Sequence, residues 1–108
     1  MSTKAILYAR TATDTPKREA LGRQLATCRH WCKNNGYTVA GEFSEIGSGL
    51  SNDLPQLAAA LWTAEEQQAE LVCYDQTRLA RDLHILGERL IESKRRGIAV
   101  QFVNESGL

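Results

Sequence analysis

The feature that most narrows the fold is a regular alternation, along the whole chain, of short apolar runs with stretches of helical period. Residues 4–10 (KAILYAR) form a strand-like run, apolar throughout Ala5, Ile6, Leu7, Tyr8 and Ala9. That pattern is expected where both faces of a sheet are covered. Residues 11–14 are polar, and Pro16 suits the start of a helix. Leu21, Leu25, Cys28 and Cys32 then recur as one helical stripe, and Gly36 fits a left-handed cap. Residues 37–43 (YTVAGEF) read as a second strand, followed by a loop that is polar apart from Ile46 and Leu50. A second helix opens at Asp53, Leu54 and Pro55 and sets Leu54, Leu57, Leu61 and Ala64 on one face. Residues 70–75 (ELVCYD) form a third strand, and Asp82 caps a last helix carrying Leu83, Leu86, Leu90 and Ile91. Gly97 ends that helix, and residues 98–103 (IAVQFV) form the last strand.

This βαβαβαβ order predicts an α/β fold: a four-stranded, mainly parallel sheet with three helices distributed over both faces. A strand order of 2-1-3-4 places strands one and three side by side. Ligands of such sheets collect at the carboxyl ends of the strands, where the winding reverses. The 108 residues suffice for one domain with its own core and need no disulfide or metal. No run is apolar enough to span a membrane, and the N-terminus lacks a signal peptide, so a cytoplasmic protein is expected.

Three cysteines cannot all pair within one chain. Cys28 and Cys32 share a helix face from which His30 points away, and no further ligand follows at zinc-like spacing. They read as small buried thiols, and neither a metal nor a cofactor is expected. The formal net charge is zero, so no bulk field argues for nucleic acid. Yet nine of the thirteen basic residues are arginine, the side chain that grips phosphate with a planar fork.

Chemistry is to be sought at the two central strand ends. Strand one delivers Arg10, Thr11, Ala12 and Thr13, and strand three delivers Asp75, Gln76, Thr77, Arg78 and Arg81. Arg10, Arg78 and Arg81 would converge there as an oxyanion site. Spacing leaves a second reading open, in which Arg78 and Arg81 are solvated loop residues paired with Asp75 and Asp82. Gly47-Ser48-Gly49 lacks a phosphate-loop pattern and reads as a turn. Lys94, Arg95 and Arg96 answer a helix dipole. His30 and His84 read as surface residues, and Trp31 and Trp62 as partly buried ones.

These segments carry a resemblance. YARTAT (8–13) is similar to the YARVST motif that opens the catalytic domain of serine site-specific recombinases of the resolvase/invertase family. DQTRLARD (75–82) resembles their DLDRLSRD, and GSGLSNDLPQL (47–57) resembles SGxSxDRPGL. The resemblance implies a resolvase-like fold and a role in DNA recombination and integration. In that family a serine attacks a DNA phosphodiester, forms a 5′-phosphoserine link and frees a 3′-hydroxyl, without metal or cofactor. Arg10, Gln24, Arg78 and Arg81 match the family's catalytic positions, and Arg10, Arg78 and Arg81 would bind the DNA phosphate.

Three expected groups are missing. Ala12 stands at the nucleophile position, Leu54 where an arginine is expected, and Thr77 where an aspartate is expected. A methyl group cannot attack phosphorus, so the chain is expected to be catalytically inactive. Thr11 or Thr13 would place a hydroxyl on the wrong face of an extended segment. An engineered serine-to-alanine change would not explain Leu54 and Thr77, and joint loss points to a degenerate natural homologue. Family members continue into a long dimerisation helix and a DNA-recognition domain. Residues 1–108 are expected to be a single catalytic-type domain lacking both. The expected partners are DNA and another copy or an active recombinase in an oligomer, with no membrane. The rival readings are a non-enzymatic interaction module on the same fold and a small phosphometabolite-binding domain. The latter wants a glycine loop after strand one, which Thr11-Ala12-Thr13 is not.

Overall fold

The computed structural model describes residues 2–12, 17–48 and 53–104, apart from the side chains of residues 17–19. Its elements are β1 (Thr3–Thr11), α1 (Lys17–Asn34), β2 (Tyr37–Ile46), α2 (Pro55–Gln67), β3 (Glu70–Cys73), α3 (Gln76–Leu79), α4 (Leu83–Arg95) and β4 (Val100–Phe102). Among the described residues the strands form one sheet in the order β2-β1-β3-β4. Every pairing is parallel. The sheet expected from the alternation is the one observed.

The continuous apolar run of β1 is explained by its central place. Ile6 and Tyr8 point into a core shared with Leu54, Leu57, Ala60 and Ala64 of the α2 segment, and with Leu79 and Leu86. Ala5 and Leu7 point the other way, onto Cys28 and Cys32 of α1 and onto Val72. All three cysteines are buried free thiols, Cys28 and Cys32 as the helical stripe predicts and Cys73 within β3. Gly36 and Gly97 hold φ of 77° and 76°, the left-handed conformation their helix ends require.

Four details differ from the expectation. A fourth, short helix, α3, replaces the loop expected after strand three. Asp75 caps it by accepting from Thr77 N, which turns a polar loop sequence into one helical turn. β2 continues to Ile46 instead of ending at Phe43, because β1 pairs with it as far as Thr11. On α4, Asp82 is the cap, accepting from His84 N and Ile85 N. Leu83 and Ile91, however, are 81% and 61% exposed rather than on the buried stripe. The buried arc of α4 runs instead through Leu86 and Ser93. Finally, Trp62 is 60% exposed on α2, more than partial burial implies. Trp31 does pack, tilted against Tyr37 at 5.0 Å between ring centres.

Candidate functional site

β1 and β3 run parallel and adjacent, so the segments leaving their carboxyl ends meet at one edge of the sheet. β3 stops at Cys73, opposite Tyr8, while β1 runs on. Beyond that point Gln24 of α1 takes the place of the missing strand. Its Oε1 accepts from Arg10 N at 3.2 Å, and its Nε2 donates to Arg10 O at 3.0 Å. Gln24 is buried, and its amide satisfies a strand edge that would otherwise be orphaned.

Arg10 is 1% exposed. Its guanidinium donates from Nε to Arg78 O at 3.0 Å, from Nη1 to Gly47 O at 2.8 Å, and from Nη2 to Thr77 O. The planar fork thereby joins the turn after β2 to α3. Arg78 answers by donating Nη1 to Arg10 O at 3.2 Å. Its Nε lies 3.7 Å from Asp75 Oδ1, too far for a hydrogen bond. Burial is the main cause that pushes the Arg10 guanidinium below its ordinary value; Tyr8 opposes it, and the charges of Arg78, Arg81 and Arg89 each add a lesser downward push. Three further guanidinium groups, those of Arg78, Arg81 and Arg89, therefore lie within electrostatic reach of Arg10 at this end of the sheet. Arg81 is exposed there. Arg89, on α4, donates Nη1 to Leu79 O.

The sequence-predicted residues are thus partly brought together. Arg10, Gln24 and Arg78 form one hydrogen-bonded unit, with Arg81 beside it. Of the carboxylates weighed as their partners, Asp75 faces Arg78 loosely, while Asp82 is taken up by the α4 cap. Half-buried Ala12 follows Thr11 out of β1. Thr11 is itself buried, and Thr13 lies outside the described residues. Leu54 is 6% exposed within the core and faces Gly47, where an added Cβ would come within 3.0 Å of Leu54 Cδ2. Thr77 lies in α3, where its backbone N and Oγ1 both donate to Asp75 Oδ1. Residues 49–52 of the middle motif lie outside the described residues.

Residues 5–108 match the family model described as Resolvase, N terminal domain. The chain belongs to that family. Solved structures carry the same resolvase-type fold. The C-terminal catalytic domain of ISC1926 TnpA, an IS607-like serine recombinase, matches with a TM-score of 0.81 at 21% identity, covering 94% of this chain and 70% of that one. The N-terminal catalytic domain of TP901-1 integrase matches with a TM-score of 0.81 at 19% identity, covering 96% and 79%. A resolvase family site-specific recombinase from Streptococcus pneumoniae matches with a TM-score of 0.76 at 18% identity, covering 99% and 75%. No curated protein matches the chain.

Two residues that the structure places near these positions went unnoticed in the sequence. Arg89 falls on the buried arc of α4, at i+3 from Leu86 and i−4 from Ser93, and a charge at that register is the signal that could have found it. Glu45 is the other. The residue preceding α2, Leu54, offers no side-chain cap. Glu45 supplies one from β2, accepting from Gln56 N at Oε1 and Leu57 N at Oε2, each at 3.0 Å. The Tyr8 hydroxyl also donates to Glu45 Oε2, and burial and that bond both raise the phenol. Lys94 to Arg96 behave as expected of a helix end, with Arg95 on Glu92 and Arg96 on Glu65. Among the described residues no group of His, Cys, Asp and Glu could hold a metal ion, and no helix is long and apolar enough to cross a membrane.

Proposed function

We propose that this chain is a DNA-recombination-family domain that engages the DNA backbone without forming the covalent protein–DNA link. Arg78 and Arg81 meet the phosphate, with the charge of Arg89 alongside. Arg10 works from beneath, holding the α3 turn in place and adding its charge to the field. The observation that carries the reading is the arrangement beyond the carboxyl ends of β1 and β3, where Arg78 is bonded to Arg10 O and Arg81 and Arg89 lie close enough for their charges to act on Arg10. Like charges held together in a partly buried place are relieved by a bound anion, and a phosphodiester matches the guanidinium fork. Catalysis is a separate matter. The position matching the family's nucleophile ends in a methyl group, and buried Thr11 offers no substitute.

Two measurements test this. On suicide DNA substrates, denaturing gels should show no protein–DNA adduct, and Ala12→Ser alone should not restore ordinary cleavage. Each missing charge-stabilising donor typically lowers such rates by about 10²–10³. An adduct mapped to Thr11 or Thr13, or rapid cleavage by the serine variant, refutes inactivity. Duplex binding should be weak and fall with salt, with a slope of about 0.9 per phosphate contacted. It should weaken further in Arg81→Ala, and affinity indifferent to both salt and Arg81 refutes the phosphate contact. Exposed Leu83 and Ile91 on α4 favour a second reading, an interaction module that oligomerises with an active recombinase. Tight association with such a partner, without measurable DNA binding, would select it.

A further inference from the structure

We infer that Arg89 is a positioning residue: from α4 it fixes the peptide between Leu79 and Ala80, and through it the direction in which Arg81 leaves α3. α3 is a single turn, Gln76–Leu79. A helix that short has no following turn to occupy its carbonyls, and a carbonyl left unpaired beside a buried core is costly. Each of its four carbonyls is nevertheless taken. Gln76 O accepts from Ala80 N at 3.0 Å. Arg10 of β1 donates to Thr77 O and, at 3.0 Å, to Arg78 O. Arg89 donates Nη1 to Leu79 O. Two arginines from separate elements thus close the end of α3, where a longer helix would use its own amides. The carbonyls there carry partial negative charge, which favours a cationic donor over a neutral one.

The bond from Arg89 differs from the others in what it controls. Leu79 is buried and belongs to the same core cluster as Leu86 of α4. That packing sets where Leu79 sits but does not orient the peptide plane that follows it. Ala80 is extended, and exposed Arg81 comes next. Asp82 then caps α4, accepting from His84 N and Ile85 N. Ala80 and Arg81 therefore form a two-residue bridge with both ends held by α4, one through Arg89 and the other through the cap. A bridge that short passes any rotation of the Leu79 peptide directly to Arg81. Arg89 is half-buried and acts on Arg10 as a like charge, and its bond to the Leu79 carbonyl offsets part of the resulting penalty. Its use in binding rests on the function proposed above, while the geometry it fixes does not.

The test reads the bridge and the ligand separately, on the full chain. Amide hydrogen exchange at Ala80 reports the end of α3, with Leu7 of β1 as the reference for global opening. Fluorescence anisotropy with a short labelled duplex at low salt reports binding. Arg89→Met should speed exchange at Ala80 about tenfold or more, while Leu7 changes by less than about threefold. It should weaken duplex binding about three- to tenfold, as expected for loss of a charge-assisted bond. Arg89→Gln keeps a donor without the charge, Arg89→Lys keeps a donor with it, and both should bind more tightly than Arg89→Met. In an Arg81→Gln background Arg89→Met should cost nothing further, because a residue that acts through Arg81 has nothing left to act on. A merely structural role would move Ala80 and Leu7 together and would not single out Arg81. Additive losses in the double variant overturn the proposal. So does Arg89→Gln as weak as Arg89→Met beside Arg89→Lys equal to the parent, which shows that charge alone acts. Unchanged exchange at Ala80 overturns it as well. If Arg89→Met fails to fold, Arg89→Gln and Arg89→Lys carry the same comparisons in both backgrounds. If Arg81→Gln leaves duplex affinity unchanged, the proposed function falls, and exchange at Ala80 alone decides whether Arg89 sets the bridge.

Discussion

Replacing Arg10 with alanine should damage the fold before it damages binding. The side chain is 1% exposed, and its three donor positions hold Gly47 O, Thr77 O and Arg78 O, tying the turn after β2 to α3. A hydrogen bond from a charged donor contributes about 1.5–3 kcal/mol. Three of them do not simply add, because the truncated site admits water to the freed carbonyls. Two further effects reduce the loss. Removing the guanidinium recovers its desolvation, and it relieves the repulsion from Arg78, Arg81 and Arg89. The net expectation is about 3–4 kcal/mol, a large share of the stability of an ordinary domain. For a domain of this size that corresponds to a fall in Tm of about 10–20 °C. Arg10→Lys should lose about 2 kcal/mol, since one ammonium cannot span three carbonyls set for a planar fork. Urea and thermal denaturation followed by circular dichroism measure both variants. Arg81→Ala is the comparison, an exposed position expected to stay within about 0.5 kcal/mol of the parent. Should Arg10→Ala keep its stability and lose DNA affinity as Arg81→Ala does, Arg10 is a phosphate ligand and the clamp assignment is wrong.

Glu45→Gln should lower stability by about 1–2 kcal/mol, because one amide oxygen replaces a carboxylate that caps α2 and holds the Tyr8 hydroxyl. Denaturant titration reads this, and an unchanged midpoint would refute the cap. Burial pushes the Cys28 thiol from an ordinary 9.0 up to about 12, and also raises Cys32 and Cys73. The stability this confers is fully present below pH 9.0 and is lost as pH rises through about 12, because the unfolded chain ionises first. A thiol reagent at about pH 8 should label none of the three until denaturant is added, and rapid native labelling would contradict their burial. Leu54→Arg, which introduces the arginine that the motif resemblance leads one to expect there, should destabilise by about 2–4 kcal/mol, since it sends a charge into the apolar core. A variant as stable as the parent would show that the core there admits an arginine.

The fold was legible because each element announces its surroundings. β1 is apolar at consecutive positions, and the structure uses both parities, Ala5 and Leu7 toward α1, Ile6 and Tyr8 toward α2 and α4. The convergence of Arg10, Gln24 and Arg78 was legible because each leaves a strand end or faces one from α1. Less of the local detail could be read. α3 is a single turn whose stability comes from the Asp75 cap, and a polar stretch of that length has no period to detect. Leu83 stands at i−3 from Leu86, yet it and Ile91, at i+8 from Leu83, lie beyond the arc that the sheet covers. What each arginine does was hidden for a different reason. Sequence shows that a cation is present but not which backbone carbonyls turn toward it.

That distinction changes how the losses at Ala12, Leu54 and Thr77 fit together. The hydrogen-bonding contributed by Arg10 is internal, so its support for an anion comes through its charge and through the placement of Arg78. Neither needs a serine at residue 12. Leu54 adds apolar packing between α2 and the sheet, and Thr77 keeps α3 capped through Asp75 while its carbonyl holds Arg10. Under the proposed function the three departures would take a nucleophile, an arginine and a carboxylate out of the chemistry, while the contacts of Leu54 and Thr77 still support the arginine scaffold. The buried Arg10–Gln24–Arg78 unit is needed for stability with or without a hydroxyl at residue 12, because it ties α1, α3 and the turn after β2 to β1, so the phosphate reading stands on Arg78 and Arg81 and is decided by their variants.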